Sequence, residues 1–369
     1  MKKITYGRQN IIQADVDSVV QVLHSDYLTQ GPAVEKFEAD LANYCGASYA
    51  VAVANGTAAL HLAYLALDLK VDDEVIVTSN TFVATTNMLL VIGAKPVFCD
   101  IRLDTYNIDE QKIENLINHK TKAIIAVHFA GQAVTMTKLW SLAEKYNLAV
   151  IEDAAHALGA SYQGIKIGNT KSALTCFSFH PVKSITTGEG GAICTNSSAL
   201  YQRLKLLRSH GVAKDDGGFN VMAELGYNYR ITDMQCALGS SQLTRLDEFV
   251  LKRHKLTELY LQELAQCDQL VLPAVSLDNV SAHHLFVILL KTADQRQALA
   301  EYLLAQGIGI NYHYPPVYSH PYYRQHGYAD TFCVNTDDYF ARCLTLPLHT
   351  NLTNEDIVYI SNKIKEFFT

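Results

Sequence analysis

The chain contains 369 residues, of which 49% are hydrophobic, and it carries a formal net charge of −7 at pH 7. This length and composition allow a large buried core, and we expect one larger and one smaller unit. The negative charge, without a long basic run, argues against nucleic-acid binding as the main activity. No apolar run approaches a membrane span and no signal-peptide core follows the first residues, so we expect a cytoplasmic protein that does not bind a membrane.

The cysteine and histidine spacings indicate neither disulfides nor a metal. The eight cysteines contain no C-x-x-C pair and are typical of reduced, mostly buried side chains. The fourteen histidines include His283, His284 and His320, but no His or Cys spacing matches a metal site. We therefore expect no bound metal.

The first strand, predicted over residues 49–54, leads into Asn55-Gly56-Thr57 at the start of a helix that continues to about Leu67. Backbone N–H groups at a helix N-terminus, together with the Thr57 hydroxyl, form an anion site that suits a phosphate. The same pattern also occurs as an ordinary turn of α/β proteins, and both interpretations stay open at this point.

The second strand, predicted over 74–78, is followed by the run Ser79-Asn80-Thr81-Phe82. The Phe82 ring, placed just beyond a strand end, could lie on the face of a planar ligand. A core phenylalanine is the alternative.

A strand predicted over 148–152 ends at Asp153. Its apolar sequence is typical of a parallel sheet covered on both faces, whose ligands bind beyond the carboxyl ends of the strands. Asp153 is therefore a candidate ligand-binding carboxylate. Its alternative role is the N-cap of a helix that begins at Ala154 and Ala155.

The next strand, predicted over 173–179, leads through Pro181 to Lys183, in a turn of Ser, Thr and Gly residues. A desolvated lysine at a strand end is a candidate imine-forming amine, because the neutral amine is the nucleophile. Ser178 could add its hydroxyl to the anion site at Gly56. A solvated surface lysine is the alternative.

Asp153 and Lys183 together indicate a particular cofactor. A carboxylate at one strand end and an amine beyond a later one can hold opposite ends of a planar ring. Pyridoxal phosphate (PLP) needs this pair, because a lysine takes its aldehyde and an acid keeps its pyridine nitrogen protonated.

The fold class follows from the alternation of strands and helices. Strands are predicted near residues 50–54, 74–78, 96–100, 122–128, 148–152, 173–179 and 191–195, and helices over 58–67, 82–92, 136–146, 197–209 and 233–266. The alternation is typical of an α/β fold with a mostly parallel seven-stranded sheet flanked by helices.

From about Val271 the pattern changes to that of a smaller α+β unit. Strands are predicted over 284–290 and 309–314, and helices over 293–306 and 354–368. We predict two domains: a large PLP-binding domain over residues 1–250 and a small C-terminal domain over residues 251–369.

In their order along the chain, these motifs resemble the fold-type I PLP enzymes and, more narrowly, the DegT/DnrJ/EryC1/StrS family of nucleotide-sugar aminotransferases. The resemblance covers essentially the whole chain. It rests on the runs Leu28-Thr29-Gln30-Gly31-Pro32, Asn55-Gly56-Thr57-Ala58-Ala59-Leu60-His61, Glu152-Asp153-Ala154-Ala155-His156, the Lys183 run, Gly226-Tyr227-Asn228-Tyr229-Arg230 and Tyr314-Pro315-Pro316.

The resemblance implies a role for each cofactor residue. Lys183 is similar to the Schiff-base lysine that also shuttles a proton, and Asp153 to the partner of the pyridine nitrogen. Phe82 resembles the aromatic residue that stacks on the ring, and His156 lies where the family has a Gln or His near the phenolic oxygen. The phosphate-binding residues of the family correspond to Gly56, Thr57 and Ser178.

The resemblance also implies a homodimer with active sites at the interface. In this family an Asn-Tyr-Arg segment of the neighbouring subunit reaches the phosphate. We therefore expect Asn228 to act across a dimer interface, with Arg230 a further candidate. The residues that we expect to touch the substrate are Thr29, Gly31, His313 and Tyr314.

Within the family, the run from Ser178 to Gly191 is most similar to the branch that makes the pseudaminic acid precursor. That branch converts UDP-2-acetamido-2,6-dideoxy-β-L-arabino-hexos-4-ulose to its 4-amino derivative, and L-glutamate is the expected amino donor. The alternatives are another UDP-, dTDP- or GDP-linked 4-keto sugar, and a catalytically silent relative that binds a nucleotide sugar. A nicotinamide oxidoreductase is disfavoured because no G-x-G-x-x-G follows the first strand.

Overall fold

The computed structural model describes residues 3–369. Its helices are α1 (Gln13–Leu23), α2 (Pro32–Cys45), α3 (Gly56–Ala66), α4 (Ala84–Val91), α5 (Met136–Tyr146), α6 (Ser198–Arg208), α7 (Asp233–Leu243), α8 (Leu246–Leu264), α9 (Arg296–Ala305), α10 (Pro321–Tyr323), α11 (Val334–Arg342) and α12 (Asn354–Phe368). Its strands are β1 (Tyr49–Val53), β2 (Glu74–Thr78), β3 (Lys95–Cys99), β4 (Thr121–Val127), β5 (Ala149–Asp153), β6 (Ser161–Tyr162), β7 (Ile165–Lys166), β8 (Leu174–Ser178), β9 (Gly191–Thr195), β10 (Val212–Lys214), β11 (Asn220–Met222), β12 (Leu270–Val271), β13 (Asn279–Val280), β14 (Phe286–Leu290) and β15 (Cys343–Leu346).

Seven strands form one large sheet in the order β1-β9-β8-β5-β4-β2-β3. The neighbours from β8 to β3 run parallel, whereas β9 lies antiparallel between β8 and β1. The predicted mostly parallel seven-stranded sheet is therefore confirmed. Each of its predicted strands agrees with the observed bounds to within one residue.

Both faces of this sheet are covered, which explains its nearly unbroken apolar strands. Ile76, Ile124 and Val150 pack into the core on one face, and Ile125 and Ile151 into the core on the other. Successive residues of a strand point to opposite faces, so a doubly covered sheet needs apolar side chains at nearly every position. A buried polar residue within such a strand needs a partner, as Glu152 has in His128, whereas polar residues at the carboxyl edge of the sheet can face a ligand.

A second, antiparallel sheet contains β12, β14 and β15. Its core includes Tyr260 of α8, Leu299 of α9 and Ile360 of α12. The predicted domain boundary at residue 250 falls inside α8, which connects the two regions as one continuous helix. The division into residues 1–250 and 251–369 stays a prediction.

The predicted strand over 309–314 is wrong. This segment makes an isolated bridge from Asn311 to Thr345. The backbone N–H of Tyr312 bonds to the Asn311 side chain at 2.8 Å, and that of Tyr314 bonds to Asn80 at 3.2 Å. Asparagine side chains thus replace a strand partner, and the sheet is completed instead by β15, which the sequence pattern did not predict.

The long helix predicted over 233–266 is two helices, α7 and α8, separated at Thr244 and Arg245. The Thr244 hydroxyl donates to the Ser241 carbonyl at 2.7 Å, in the last turn of α7. The Arg245 guanidinium reaches back to Asp15 at 2.6 Å. Local helix propensity does not predict the break between α7 and α8, which coincides with this contact to Asp15, a residue far away in the sequence.

Candidate active site

A cavity of about 690 Å³ opens at the carboxyl edge of the large sheet. Val127, Asp153 and Ser178, the last residues of β4, β5 and β8, all line it. The N-terminus of α3, the Lys183 turn and the segment 311–315 complete its walls. The cavity therefore lies where an open parallel sheet binds its ligands.

Lys183 lies in this cavity and is not a solvated surface lysine. Its backbone is held in a turn by the bond from its N–H to the His180 carbonyl, at 2.8 Å. The exposed part of the side chain opens on the cavity, and the surrounding protein desolvates the ammonium group. This burial lowers the pKa of Lys183 to about 8, although the Asp153 carboxylate opposes the shift.

Asp153 is buried at the end of β5, facing the cavity. Its Oδ1 accepts the Ala155 N–H at 3.2 Å, and its Oδ2 accepts the Thr85 hydroxyl at 2.7 Å. Residues 154–160 form turns, so Asp153 does not cap a helix, contrary to the alternative that its position in the sequence allowed. The hydrogen bonds hold the carboxylate in one orientation while leaving lone pairs for a ligand.

The start of α3 is built to hold an anion. The Asn55 side chain caps the helix by accepting the Ala58 N–H at 2.8 Å, whereas the Gly56 and Thr57 N–H groups lie in the first turn, without intrahelical partners. A Cβ added at Gly56 would lie 2.8 Å from the Ser178 Cβ. Only glycine therefore lets Ser178 approach this helix end, and the three residues meet as the sequence predicts.

Phe82 is exposed at the cavity rather than buried in the core. The residue is 57% exposed, and the centroid of its ring lies 6.0 Å from that of Tyr314. The core alternative for Phe82 is therefore wrong, and the ring face is free to cover a planar ligand.

His156 lies next to Tyr314, with Nε2 3.1 Å from the Tyr314 hydroxyl oxygen. Its Nδ1 is buried without a partner among the described residues. Burial lowers the pKa of His156, and the charge of Lys183 lowers it further, so the imidazole is neutral at physiological pH.

Other residues that the sequence did not assign to the site also line the cavity, among them Tyr6, Thr85 and His284. The His284 ring packs against that of His156, with centroids 4.3 Å apart and the ring planes tilted by 34°. Tyr6 faces His313, whose pKa burial lowers to about 3. No local spacing in the sequence singles out these three residues.

The remaining predicted site residues lie outside this cavity. Thr29 bridges to Thr232, and the Gly31 N–H bonds to the Asp233 side chain at 2.8 Å. Asn228 is exposed and bridges to Ser209, and Arg230 does not line the cavity either. Their predicted contacts with cofactor or substrate stay predictions.

The residues that do meet fit PLP. They provide an amine with a lowered pKa, a carboxylate held open to the cavity, a helix N-terminus that glycine brings against a serine, and an exposed aromatic face. Within residues 3–369, no cluster of His, Cys, Asp and Glu side chains could hold a metal ion. No helix in the same range is long and apolar enough to cross a membrane.

Comparison with known proteins agrees with this assignment. The model of the DegT/DnrJ/EryC1/StrS aminotransferase family matches residues 9–365. The UDP-4-amino-4,6-dideoxy-N-acetyl-beta-L-altrosamine transaminase of Campylobacter jejuni is 40% identical, over 98% of this chain and 96% of that protein. The structure of Helicobacter pylori PseC, an aminotransferase involved in the biosynthesis of pseudoaminic acid, superposes with a TM-score of 0.96 at 34% identity, covering 100% of this chain and 99% of that one.

A further solved relative carries the cofactor. The PLP form of Spr1654, a putative sugar aminotransferase from Streptococcus pneumoniae, superposes with a TM-score of 0.93 at 28% identity, over 99% of this chain and 98% of that one. The fold and the site thus define a PLP-dependent aminotransferase. The chain belongs to the DegT/DnrJ/EryC1/StrS aminotransferase family, and the prediction of PLP as its cofactor is confirmed.

Proposed function

We propose that this enzyme transfers the amino group of L-glutamate to C4 of UDP-2-acetamido-2,6-dideoxy-β-L-arabino-hexos-4-ulose, giving the 4-amino derivative. The relatives from C. jejuni and H. pylori bear names that describe this reaction or its pathway, and they align over nearly the whole chain. The coarser assignment, a nucleotide-sugar aminotransferase, rests on the same relatives and on the family.

The observation that carries the proposal is the meeting of Lys183, Asp153 and the N-terminus of α3 in one cavity. Bound PLP supplies an electron-accepting ring that carries the amino group between two substrates. Because its pKa is about 8, a useful fraction of Lys183 is a neutral base near physiological pH.

Each residue then has a defined task. Lys183 Nζ takes the proton from Cα of glutamate, and in the second half of the cycle it delivers a proton to C4 of the sugar. The Asp153 carboxylate holds a proton at the pyridine nitrogen throughout. The N–H groups of Gly56 and Thr57, with the Ser178 hydroxyl, bind the phosphate and fix the ring between the two.

The charge of the cavity supports a homodimer. Both substrates are anions, yet Lys183 is the one Lys or Arg among the described residues that line the cavity. Arg230 of a second copy would supply the missing positive charge. Three large apolar residues close to this segment in sequence are each about 70% exposed, as an interface between copies would require: Phe219, Met222 and Leu225.

Subunit complementation tests the dimer. We expect Lys183→Ala and Asn228→Ala homodimers to be inactive or weakly active, and a mixture of the two to regain activity after unfolding and refolding together. If Asn228 acts across the interface, one site of each mixed dimer is intact, about a quarter of all sites at random pairing. If both residues belong to the same site within one chain, mixing restores nothing.

The substrate test uses purified PLP-loaded enzyme and two half-reactions. L-Glutamate alone should bleach the visible absorbance of the bound cofactor, and the UDP-4-keto sugar should then restore it while the 4-amino sugar forms. We expect the β-L-arabino epimer to react with the higher kcat/KM. Turnover only of the D-configured epimer, or of a dTDP- or GDP-linked 4-keto sugar, would assign the alternative substrate. A band that ignores every amino donor would make the chain a silent relative.

A further inference from the structure

Thr85 is a buried residue of α4 in the wall of the cavity, and its hydroxyl bonds to the Asp153 carboxylate. Its Oγ1 is 2.7 Å from Asp153 Oδ2 and 2.7 Å from Thr81 Oγ1. Its carbonyl accepts the hydroxyl of Tyr64, a fully buried tyrosine, at 2.7 Å. Both threonines line the cavity but are at most 2% exposed, so little of either side chain is accessible to water.

The direction of the hydrogen bonds follows from their chemistry. An ionised carboxylate only accepts, so the single hydroxyl proton of Thr85 must point at Asp153. The Phe82 carbonyl, 3.1 Å from Thr85 Oγ1, is a more distant competitor for this proton. Thr81 must then donate to Thr85, which gives the ordered chain Thr81 to Thr85 to Asp153. Each donor in such a chain strengthens the next.

We propose that Thr85 is a positioning residue for the transamination: through Asp153 it decides how firmly the proton stays on the pyridine nitrogen of PLP. The inference rests on the proposed function only in that Asp153 is the partner of that nitrogen. A donor on Oδ2 stabilises negative charge on the carboxylate and turns its remaining lone pairs toward the cavity. Without this donor, the shared proton moves from the ring toward the carboxylate.

The test observes the ring nitrogen directly. Protein is loaded with PLP labelled with ¹⁵N in the ring, and the ¹⁵N chemical shift is recorded by solid-state NMR in the absence of substrate. We expect Thr85→Val to shift the resonance toward the position of unprotonated pyridine and to lower kcat about tenfold, as expected for one charge-assisted hydrogen bond. Thr85→Ser, which keeps the hydroxyl, should restore both.

The matched control is the neighbouring residue Thr86, whose hydroxyl is 2.6 Å from that of Tyr323 and makes no bond to Asp153. Thr86→Val should leave the resonance in place. If Thr85→Val does not fold, Thr81→Val serves instead, because it leaves Thr85 free to turn to the Phe82 carbonyl. A smaller shift in the same direction is expected.

The variant Asp153→Asn distinguishes a failure of the role proposed for Thr85 from a failure of the role proposed for Asp153. If this variant shifts the resonance but neither threonine variant does, Thr85 does not act through Asp153 and the inference is overturned. If Asp153→Asn leaves the resonance unchanged, Asp153 is not the partner of the nitrogen, and the assignment of the site fails with it. The resonance measurements need no sugar, so an error in the substrate leaves them intact; only the comparison of kcat depends on it.

Discussion

The cavity has two walls of different origin. The inner wall consists of Gly56, Asp153, Ser178 and Lys183, all at the ends of strands in the large sheet or in the turns that follow them. The outer wall consists of Tyr6, His284, His313 and Tyr314, which come from the N-terminal segment and from the region beyond α8.

The two walls also differ in charge. The inner wall contains an amine and a carboxylate whose charges act on each other. On the outer wall, burial lowers the pKa of His284 and His313 and raises that of Tyr314, so these side chains are neutral at physiological pH. We infer that the inner wall carries out the proton transfers, whereas the outer wall recognises uncharged parts of the substrate.

The largest effect should follow from Lys183→Ala. We expect turnover to fall by at least about 10⁴-fold, because both the nucleophile and the proton-transferring base are lost. PLP should remain bound but no longer become covalently attached on borohydride treatment, which mass spectrometry of the digested protein detects. Lys36→Ala is the control, since Lys36 forms only an exposed pair with Asp40. Normal turnover by Lys183→Ala would show that Lys183 is not the catalytic lysine and that the inner wall does not carry out the proton transfers.

The next prediction compares two adjacent carboxylates of β5. Asp153 faces the cavity, while Glu152 points to the other face of the sheet, fully buried, where Thr170 and His128 Nε2 contact it. We expect Asp153→Asn to lower kcat by about 100- to 1,000-fold, as the loss of a preorganised charge does. Glu152→Gln should instead lower the free energy of unfolding by about 1–3 kcal/mol, with kcat little changed.

Urea unfolding and steady-state kinetics of both variants check this pair. If Glu152→Gln lowered kcat and Asp153→Asn lowered only stability, the catalytic carboxylate would be Glu152, on the other face of the sheet.

Much of the inner wall could be predicted from the sequence, because its residues follow directly from local patterns. Neighbouring parallel strands end at the same edge of a sheet. This predicts that Asp153 and Ser178, at two strand ends, lie close to Lys183 in the turn that follows the second strand. The position of Gly56 follows similarly from a strand that turns into a helix. The structure brings all four into one cavity.

The outer wall was predicted less well, because its residues depend on contacts between distant parts of the chain. No local pattern predicts His284, whose ring packs against His156 in the turn after β5. The segment with His313 reads as a strand, yet asparagine side chains hold it in another conformation. Thr29 and Gly31, assigned by resemblance alone, lie outside the cavity of their own chain.

The pH dependence of cofactor attachment tests the environment of Lys183. Burial lowers its pKa from 10.5 to about 8, so the amine is mostly protonated, and unreactive, at lower pH. The rate of attachment of PLP to apoprotein, followed by stopped-flow absorbance, should rise about tenfold per pH unit below pH 8 and level off above it. The same measurement with Nα-acetyl-lysine, which keeps a solvated ε-amine, corrects for the ionisation of PLP itself. A rate that still rises steeply toward pH 10.5 would mean a solvated lysine.

The smallest expected effect is that of Tyr314→Phe, which tests whether the outer wall acts on substrate binding and not on the chemical step. Tyr314→Phe removes one hydroxyl from the outer wall, beside His156. A neutral hydrogen bond contributes about 0.5–1.5 kcal/mol, so we expect KM for the nucleotide sugar to rise roughly 3- to 10-fold while kcat stays within about twofold.

Tyr318→Phe is the matched control, because the Tyr318 hydroxyl donates to Asp337 at 2.6 Å outside the cavity. This variant should lose stability without any change in KM. If Tyr314→Phe instead lowers kcat at constant KM, its hydroxyl acts in the chemical step through His156. The outer wall would then take part in the chemical step, because a contact that holds substrate and transition state equally leaves kcat unchanged.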